Sequence, residues 1–288
     1  MSHELESQPG AAPQRATRAG TRTGSTLPPT AVQIKARLAG QSPQERGREK
    51  AELALGWLAL FHKSSPGIIR QVVGVASSGY SAKLVRSGLA KDITAPTIRS
   101  GKAVMLTADG LNIAEKLYPE HLGQYNVDPS SVSHSTLKHD LAVQLGMIAL
   151  IDRLNVRSIL PERLIPGHVQ GEKRPDALFW LEDTSDDLPL AFELELTGKK
   201  PGRERDMALA AVVRALREDR YEMVIYMTDS QAIIDAYRKV LAETIPLWTK
   251  NRRSGKWELT GATIRATEDV LSRIEWICRP RLLDALNG

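Results

Sequence analysis

Ala191-Phe192-Glu193-Leu194-Glu195-Leu196-Thr197-Gly198-Lys199-Lys200 alternates apolar and acidic side chains, then breaks at a glycine followed by two lysines. Successive side chains of a strand point to opposite faces, so Phe192, Leu194 and Leu196 share one face and Glu193 and Glu195 the other. Upstream, Arg174-Pro175-Asp176-Ala177 opens a second strand candidate with an acidic residue at its start. Two carboxylates stacked on one sheet face repel unless a cation or a proton sits between them. With Asp176 on a neighbouring strand, three hard oxygen donors converge, the ligand set that Mg²⁺ or Mn²⁺ prefers. Such an ion polarises a phosphate and lowers the pKa of a bound water, with a nearby lysine to orient that water. Lys199 and Lys200 follow Gly198, whose freedom at positive φ lets the chain fold back toward the strand end. The competing reading is the solvated face of an edge strand, where alternating Glu is ordinary. Alternation alone favours that solvated face; the Pro-Asp opening and the lysines after the turn leave both readings open.

Around this stretch the periodicity gives an α-β-β-β-α-β-α order, a mixed sheet sandwiched by helices. Leu137, Leu141, Leu145, Ile148 and Ile151 recur three or four apart and predict a helix over Thr136–Asn155. Strands are predicted over Ser158–Ile165, Pro175–Leu181 and Leu188–Thr197. A helix over Arg203–Arg220 buries Leu209, Val212, Val213 and Leu216. Tyr221–Thr228 is near-continuously apolar, as in a strand covered on both faces, and Ser230–Thr244 is a further helix. A basic hairpin over Lys250–Arg265, with Arg252, Arg253 and Lys256, and a last helix over Glu268–Ile277 complete the chain. That hairpin reads equally as a DNA-contacting arm or as packing on the core.

The half before this sheet reads differently. Residues 1–43, poor in large apolar side chains, read as a flexible tail, with a short helix expected at Thr30–Leu38. Between residues 44 and 120, helices are predicted over Glu45–His62, from Ser65-Pro66 to Gly74, and over Ser78–Ser87. Strands at Leu89–Thr94 and Lys102–Leu106 and a helix over Thr107–Leu117 follow. Three helices and then a two-stranded wing is the order of a winged helix, which sets its third helix in the DNA major groove. The side chains at stake are Ser78, Tyr80, Ser81, Lys83 and Arg86 on that helix, and Arg99 and Lys102 on the wing. From Lys63 to Lys102 there are seven basic residues against one acidic, where phosphate contacts are needed. A protein-docking face is the alternative.

Composition excludes several classes. Of 288 residues, 42% are hydrophobic and 25% charged, so a core can be buried. Lys plus Arg total 39 against 34 for Asp plus Glu, a mild surplus of +5 that permits a polyanionic partner. The single cysteine, Cys278, supplies neither a disulfide framework nor a cysteine zinc cluster. No apolar run approaches the ~20 residues of a membrane span, and Met1–Gly10 shows no secretory pattern; no membrane insertion and a cytoplasmic location are expected. The six histidines form no His-x-His pair. His168, in a polar loop, reads as solvated. Trp57, Trp180, Trp248, Trp257 and Trp276 read as core or inter-domain anchors. None of the six tyrosines lies in a nucleophile motif.

Pro-Asp on one strand and an acidic pair on the next, in this element order, resemble the PD-(D/E)XK core of restriction endonucleases. More narrowly, the basic winged helix, Leu137-Lys138-His139-Asp140-Leu141, Arg174-Pro175-Asp176-Ala177 and Phe192-Glu193-Leu194-Glu195 resemble the replication-relaxation family, which includes MobC-type relaxases of mobilisable elements. The resemblance spans Glu45–Thr244. It implies a winged helix at 44–120, a nuclease-like domain at 130–245 and a separate C-terminal hairpin and helix at 246–288. It also implies a Mg²⁺- or Mn²⁺-dependent endonuclease that nicks double-stranded DNA at an origin of transfer, working with other relaxosome proteins and a coupling protein. By position Asp176 and Glu193 take the family's metal-binding carboxylates, Glu195 is the third acidic position, and His139 matches a histidine of the first core helix. The chain departs from the pattern where Glu195 occupies the usual lysine position, so Lys199 or Lys200 would have to supply the ammonium. A non-catalytic DNA-binding accessory or regulator with a degenerate nuclease-like domain is the rival reading.

Overall fold

The structure, a computed structural model, describes residues 39–77, 79–98, 100–117, 125–165, 174–182, 188–251 and 253–286. The expected tail over 1–30 and the helix over 30–38 lie outside the described residues.

Ser42 starts helix α1 (Pro43–Phe61): its hydroxyl accepts from the Glu45 N–H at 3.3 Å, and the Glu45 carboxylate accepts from the Ser42 N–H at 2.8 Å. This reciprocal cap, with proline at the first helical position, satisfies donors that the first turn leaves open. The two-residue strand β1 (Lys63–Ser64) follows. Ser65 caps α2 (Pro66–Val72) by accepting from the Ile68 N–H at 3.2 Å. Helix α3 (Gly79–Arg86), strands β2 (Ala90–Thr94) and β3 (Lys102–Leu106) and helix α4 (Ala108–Leu117) complete this half. The three strands form an antiparallel sheet of order β1-β3-β2, so β1 adds a strand to the expected hairpin. Gly110 lets α4 approach the chain entering β2; a Cβ there would lie 1.9 Å from the Leu89 carbonyl oxygen.

Helix α5 (His134–Ile151) leads into strands β4 (Val156–Pro161), β5 (Ala177–Leu181) and β6 (Leu190–Glu195). Helix α6 (Arg203–Arg217), strand β7 (Val224–Thr228) and helix α7 (Gln231–Ala242) follow, in the order the periodicity predicts. β4, β5 and β6 pair antiparallel, and β6 pairs parallel with β7 through the α6 crossover. Phe192, Leu194, Ile225 and Met227 pack with α5 in one cluster, while Ala191, Val224 and Tyr226 pack with Leu209, Val213 and Tyr237 of α6 and α7. Gly146 brings α5 onto the sheet, since a Cβ there would lie 2.5 Å from Phe192 Cζ.

The end of the chain differs from expectation. The hairpin starts earlier, as β8 (Thr244–Lys250) paired with β9 (Trp257–Arg265). The predicted last helix is a short α8 (Glu268–Ser272), and Ile274–Cys278 is instead strand β10, parallel to β7. The large sheet therefore reads β10-β7-β6-β5-β4, and the segment after residue 245 supplies one of its edges.

One core runs through both halves. At its centre Gln144 of α5 is fully buried: its Oε1 accepts from Trp57 Nε1 at 2.8 Å and from the Ser64 hydroxyl at 2.7 Å. Its amide group donates to the Lys63 carbonyl at 2.9 Å and the Asp140 carbonyl at 3.3 Å. Arg163 donates to the Leu60 carbonyl at 2.8 Å and to that of Ala59, closing the end of α1. Among the described residues no helix is long and apolar enough to cross a membrane.

Candidate active site

β6 is the central strand of five, and Glu193 and Glu195 are 4% and 8% exposed. The solvated-edge reading of the alternation is thereby excluded. Because β6 and β7 run parallel and β5 runs against them, the last residues of β6 and β7 and the entry to β5 lie at one end of the sheet. The carboxyl ends of parallel strands are where ligands of open α/β sheets bind.

Asp176 sits at that entry. Its N–H donates to the Phe192 carbonyl at 3.0 Å, and its carbonyl accepts from the Glu162 N–H at 2.9 Å. Its side chain takes over the next place in the ladder: one carboxylate oxygen accepts from the Leu194 N–H at 2.6 Å. The other lies 3.0 Å from Nε2 of His139 on α5. That hydrogen bond raises the His139 pKa, partly opposed by burial and reinforced by the charge of Asp176. Glu162, behind this pair, is raised chiefly by burial and then by the charge of Asp176.

The two glutamates face α6 and α7. Glu193 is the register partner of Tyr226. The Tyr226 hydroxyl is buried with no hydrogen-bond partner among the described residues, and its pKa is pushed up by burial first and then by the charge of Glu193. Glu195 accepts from the Tyr237 hydroxyl at 2.8 Å and from the Lys199 ammonium through the same oxygen. The Lys199 N–H in turn donates to the Tyr237 oxygen at 3.3 Å. The chain past β6 therefore folds back, as expected, but Gly198 is not the residue that bends it: the glycine of this loop at positive φ is Gly202, at 108°. Lys200 is exposed. A buried carboxylate needs a partner to offset its lost hydration, and Lys199 is that partner for Glu195.

The three carboxylates do not converge as a cage. Asp176, at the end of the sheet, turns to His139 of α5, while Glu193 and Glu195 face the opposite layer. Among the described residues no group of three or more His, Cys, Asp or Glu side chains stands together so as to hold a metal ion.

In the first half, Lys83 and Arg86 are exposed on α3, and the Lys83 ammonium lies 5.7 Å from the centre of the Tyr80 ring. Tyr80 is half-buried, with its hydroxyl 3.5 Å from the Gly47 carbonyl and its pKa raised by burial to about 12. Ser81 is buried, away from the exposed positions of Lys83 and Arg86 on the same helix. Lys102 pairs with Asp92 at 3.2 Å. Lys63, counted in the basic surplus, is buried and pairs with Asp140 at 2.6 Å. Ser78, Arg99 and the loop residue His168 lie outside the described residues.

Sequence reading missed Tyr226 and Tyr237, because each fits the packing pattern of its element and nothing local marks a site. Compared with protein-family models, curated proteins and solved structures, the chain gives no match.

Proposed function

We propose that this chain is a DNA-nicking endonuclease of the replication-relaxation type. In this reading a winged helix at 44–120 binds double-stranded DNA, and a restriction-endonuclease-like core at 130–245 cuts one strand at an origin of transfer. Other relaxosome proteins and a coupling protein are its cytoplasmic partners. The observation that carries the reading is the pair of buried glutamates on a central strand, with Lys199 turned back onto Glu195. Burial of two carboxylates on one face costs stability that a structural sheet has no reason to give up, and such groups cluster at functional sites. The order α5-β4-β5-β6-α6-β7 and its pairing support the nuclease-like core, and exposed Lys83 and Arg86 on the third helix of the first half support the DNA-binding one.

Lys199 is then the ammonium that orients the attacking water, in place of the lysine that Glu195 displaces. Mg²⁺ or Mn²⁺ belongs to this reading as the ion that would polarise the phosphate. The carboxylates as they stand do not fit it, each of Asp176 and Glu195 being turned to protein donors. The same engagement favours a second reading, a DNA-binding accessory or regulator whose nuclease-like domain is degenerate. Nicking of supercoiled DNA carrying the element's own origin, with and without Mg²⁺ or Mn²⁺, separates the two. Open circles support the enzyme; their absence with every divalent metal and partner supplied leaves the accessory protein.

A further inference from the structure

The β8–β9 ribbon is long, exposed and one-sided in charge. Lys250, Arg252, Arg253, Lys256 and Arg265 stand against a single acid, Glu258, and Arg252 lies outside the described residues. Lys250, Arg253 and Lys256 are exposed and form no ion pair among the described residues. Glu258 is occupied by the Asn251 amide, at 3.0 and 3.2 Å from its two oxygens. Asn251 also organises the turn: its side-chain oxygen accepts from the Arg253 and Ser254 N–H groups at 2.9 and 3.1 Å, and its own N–H donates to the Lys256 carbonyl at 2.8 Å. The cations are thus carried on a pre-shaped turn.

The ribbon lies along α6. At its base the Arg217 guanidinium donates to the Arg265 carbonyl. Further along, Trp248 Nε1 reaches Asp206 at 3.4 Å, and the Arg203 guanidinium lies 5.7 Å from the Trp257 ring centre. From Arg265 to Trp257 a strand advances about 26 Å at ~3.3 Å per residue. From Arg217 to Arg203 a helix advances about 21 Å at ~1.5 Å per residue. The basic turn therefore overhangs the start of α6, where the chain arrives from Glu195 through Lys199 and the exposed Lys200.

We infer that this ribbon is a DNA-positioning arm, its turn and Lys200 forming one phosphate track that delivers a strand to the Glu195–Lys199 end of the sheet; the inference rests on the DNA-acting reading above. Two-stranded ribbons fit the major groove, and Leu259, 57% exposed on β9, offers an apolar side chain of the kind that meets a thymine methyl.

The test uses the full chain, with K250S/R253S/K256S compared with K83S/R86S. Affinity for a fluorescein-labelled random-sequence duplex, and for one of its strands alone, is measured over a salt series. The ribbon variant should melt as the wild type does and flatten the slope of log affinity against log salt by about two to three units on the duplex, at ~0.9 for each phosphate no longer neutralised. A wild-type slope in the ribbon variant, while the wild type binds and K83S/R86S flattens, overturns the arm and leaves the DNA-acting reading standing. A wild type that binds neither DNA overturns both.

Discussion

Asp176 joins a helix to a strand through one carboxylate, with His139 3.0 Å from one oxygen and the Leu194 N–H 2.6 Å from the other. The side chain thereby extends the β5–β6 ladder past the point where the backbone leaves it. Structural and chemical roles of this residue are therefore separable by substitution. Asp176→Ala removes both hydrogen bonds and should cost about 2 kcal/mol, on the scale of a charged hydrogen-bonded group removed from a part-buried place. Asp176→Asn keeps an acceptor for Leu194 and should lose less in urea denaturation. On the nuclease reading both should abolish nicking while DNA affinity stays level or rises slightly, because a negative charge at the proposed phosphate site is gone. Full nicking by Asp176→Ala would remove Asp176 from the catalytic site.

The two lysines after β6 are no longer equivalent. Lys199 meets Glu195, whereas Lys200 is exposed. Lys199→Ala should lower the nicking rate at saturating DNA by ~10²-fold or more, on the order of a general acid–base contribution. Lys200→Ala should leave that rate near the wild type and alter only the salt dependence of binding. Equal rates for both variants and the wild type would end the case for a displaced lysine.

Gln144 carries a stability prediction. Gln144→Leu keeps most of the volume but leaves the Trp57 N–H, the Ser64 hydroxyl and the Lys63 carbonyl without this partner. Each buried group left unsatisfied costs about 1–3 kcal/mol, so the variant should lose roughly 3 kcal/mol or more. Because Gln144 belongs to the second half of the chain and these partners to the first, fluorescence and circular dichroism should still report one shared transition. Two separate transitions in the wild type would contradict the common core.

His62 sets a pH dependence. Burial lowers its pKa below 6.5, against a hydrogen bond to the Asn126 carbonyl at 2.7 Å that raises it. A histidine depressed in the fold takes up protons more readily when unfolded, so stability rises with pH through this window. The contribution of neutral His62 is fully present above 6.5 and is lost as pH falls from 6.5 toward its folded value. His62→Gln should flatten the stability profile below pH 6.5 and leave it unchanged above. An undiminished acid slope in that variant would assign the effect to another group.

Much of this arrangement is readable in the residues themselves. Alternation places Glu193 and Glu195 together, and the helix and strand periods order every element from α5 to α7. What local patterns lack is partnership. His139 and Asp176 are each identifiable as candidates, but their bond crosses 37 positions of sequence. The burial of Ser81 and Lys63 depends on elements that only folding brings alongside. Ile274–Cys278 is a short apolar run next to a helical start, where length alone does not separate helix from strand. Its pairing with β7 decides the matter, and a tertiary contact leaves no mark on five residues.

The buried amide at Gln144 has a mechanical consequence for any duplex held by both halves. With Trp57, Ser64, Lys63 and Asp140 tied to one side chain, α3 and the far end of the sheet would, on the DNA-acting reading proposed above, be the two jaws of a caliper pinned at this joint. On that reading such a tool would measure a constant distance along the double helix and meet a constant side of it. Shifting the cut site by about five base pairs, half a turn of B-DNA, would carry the scissile phosphate to the opposite side, out of reach of jaws that do not swivel.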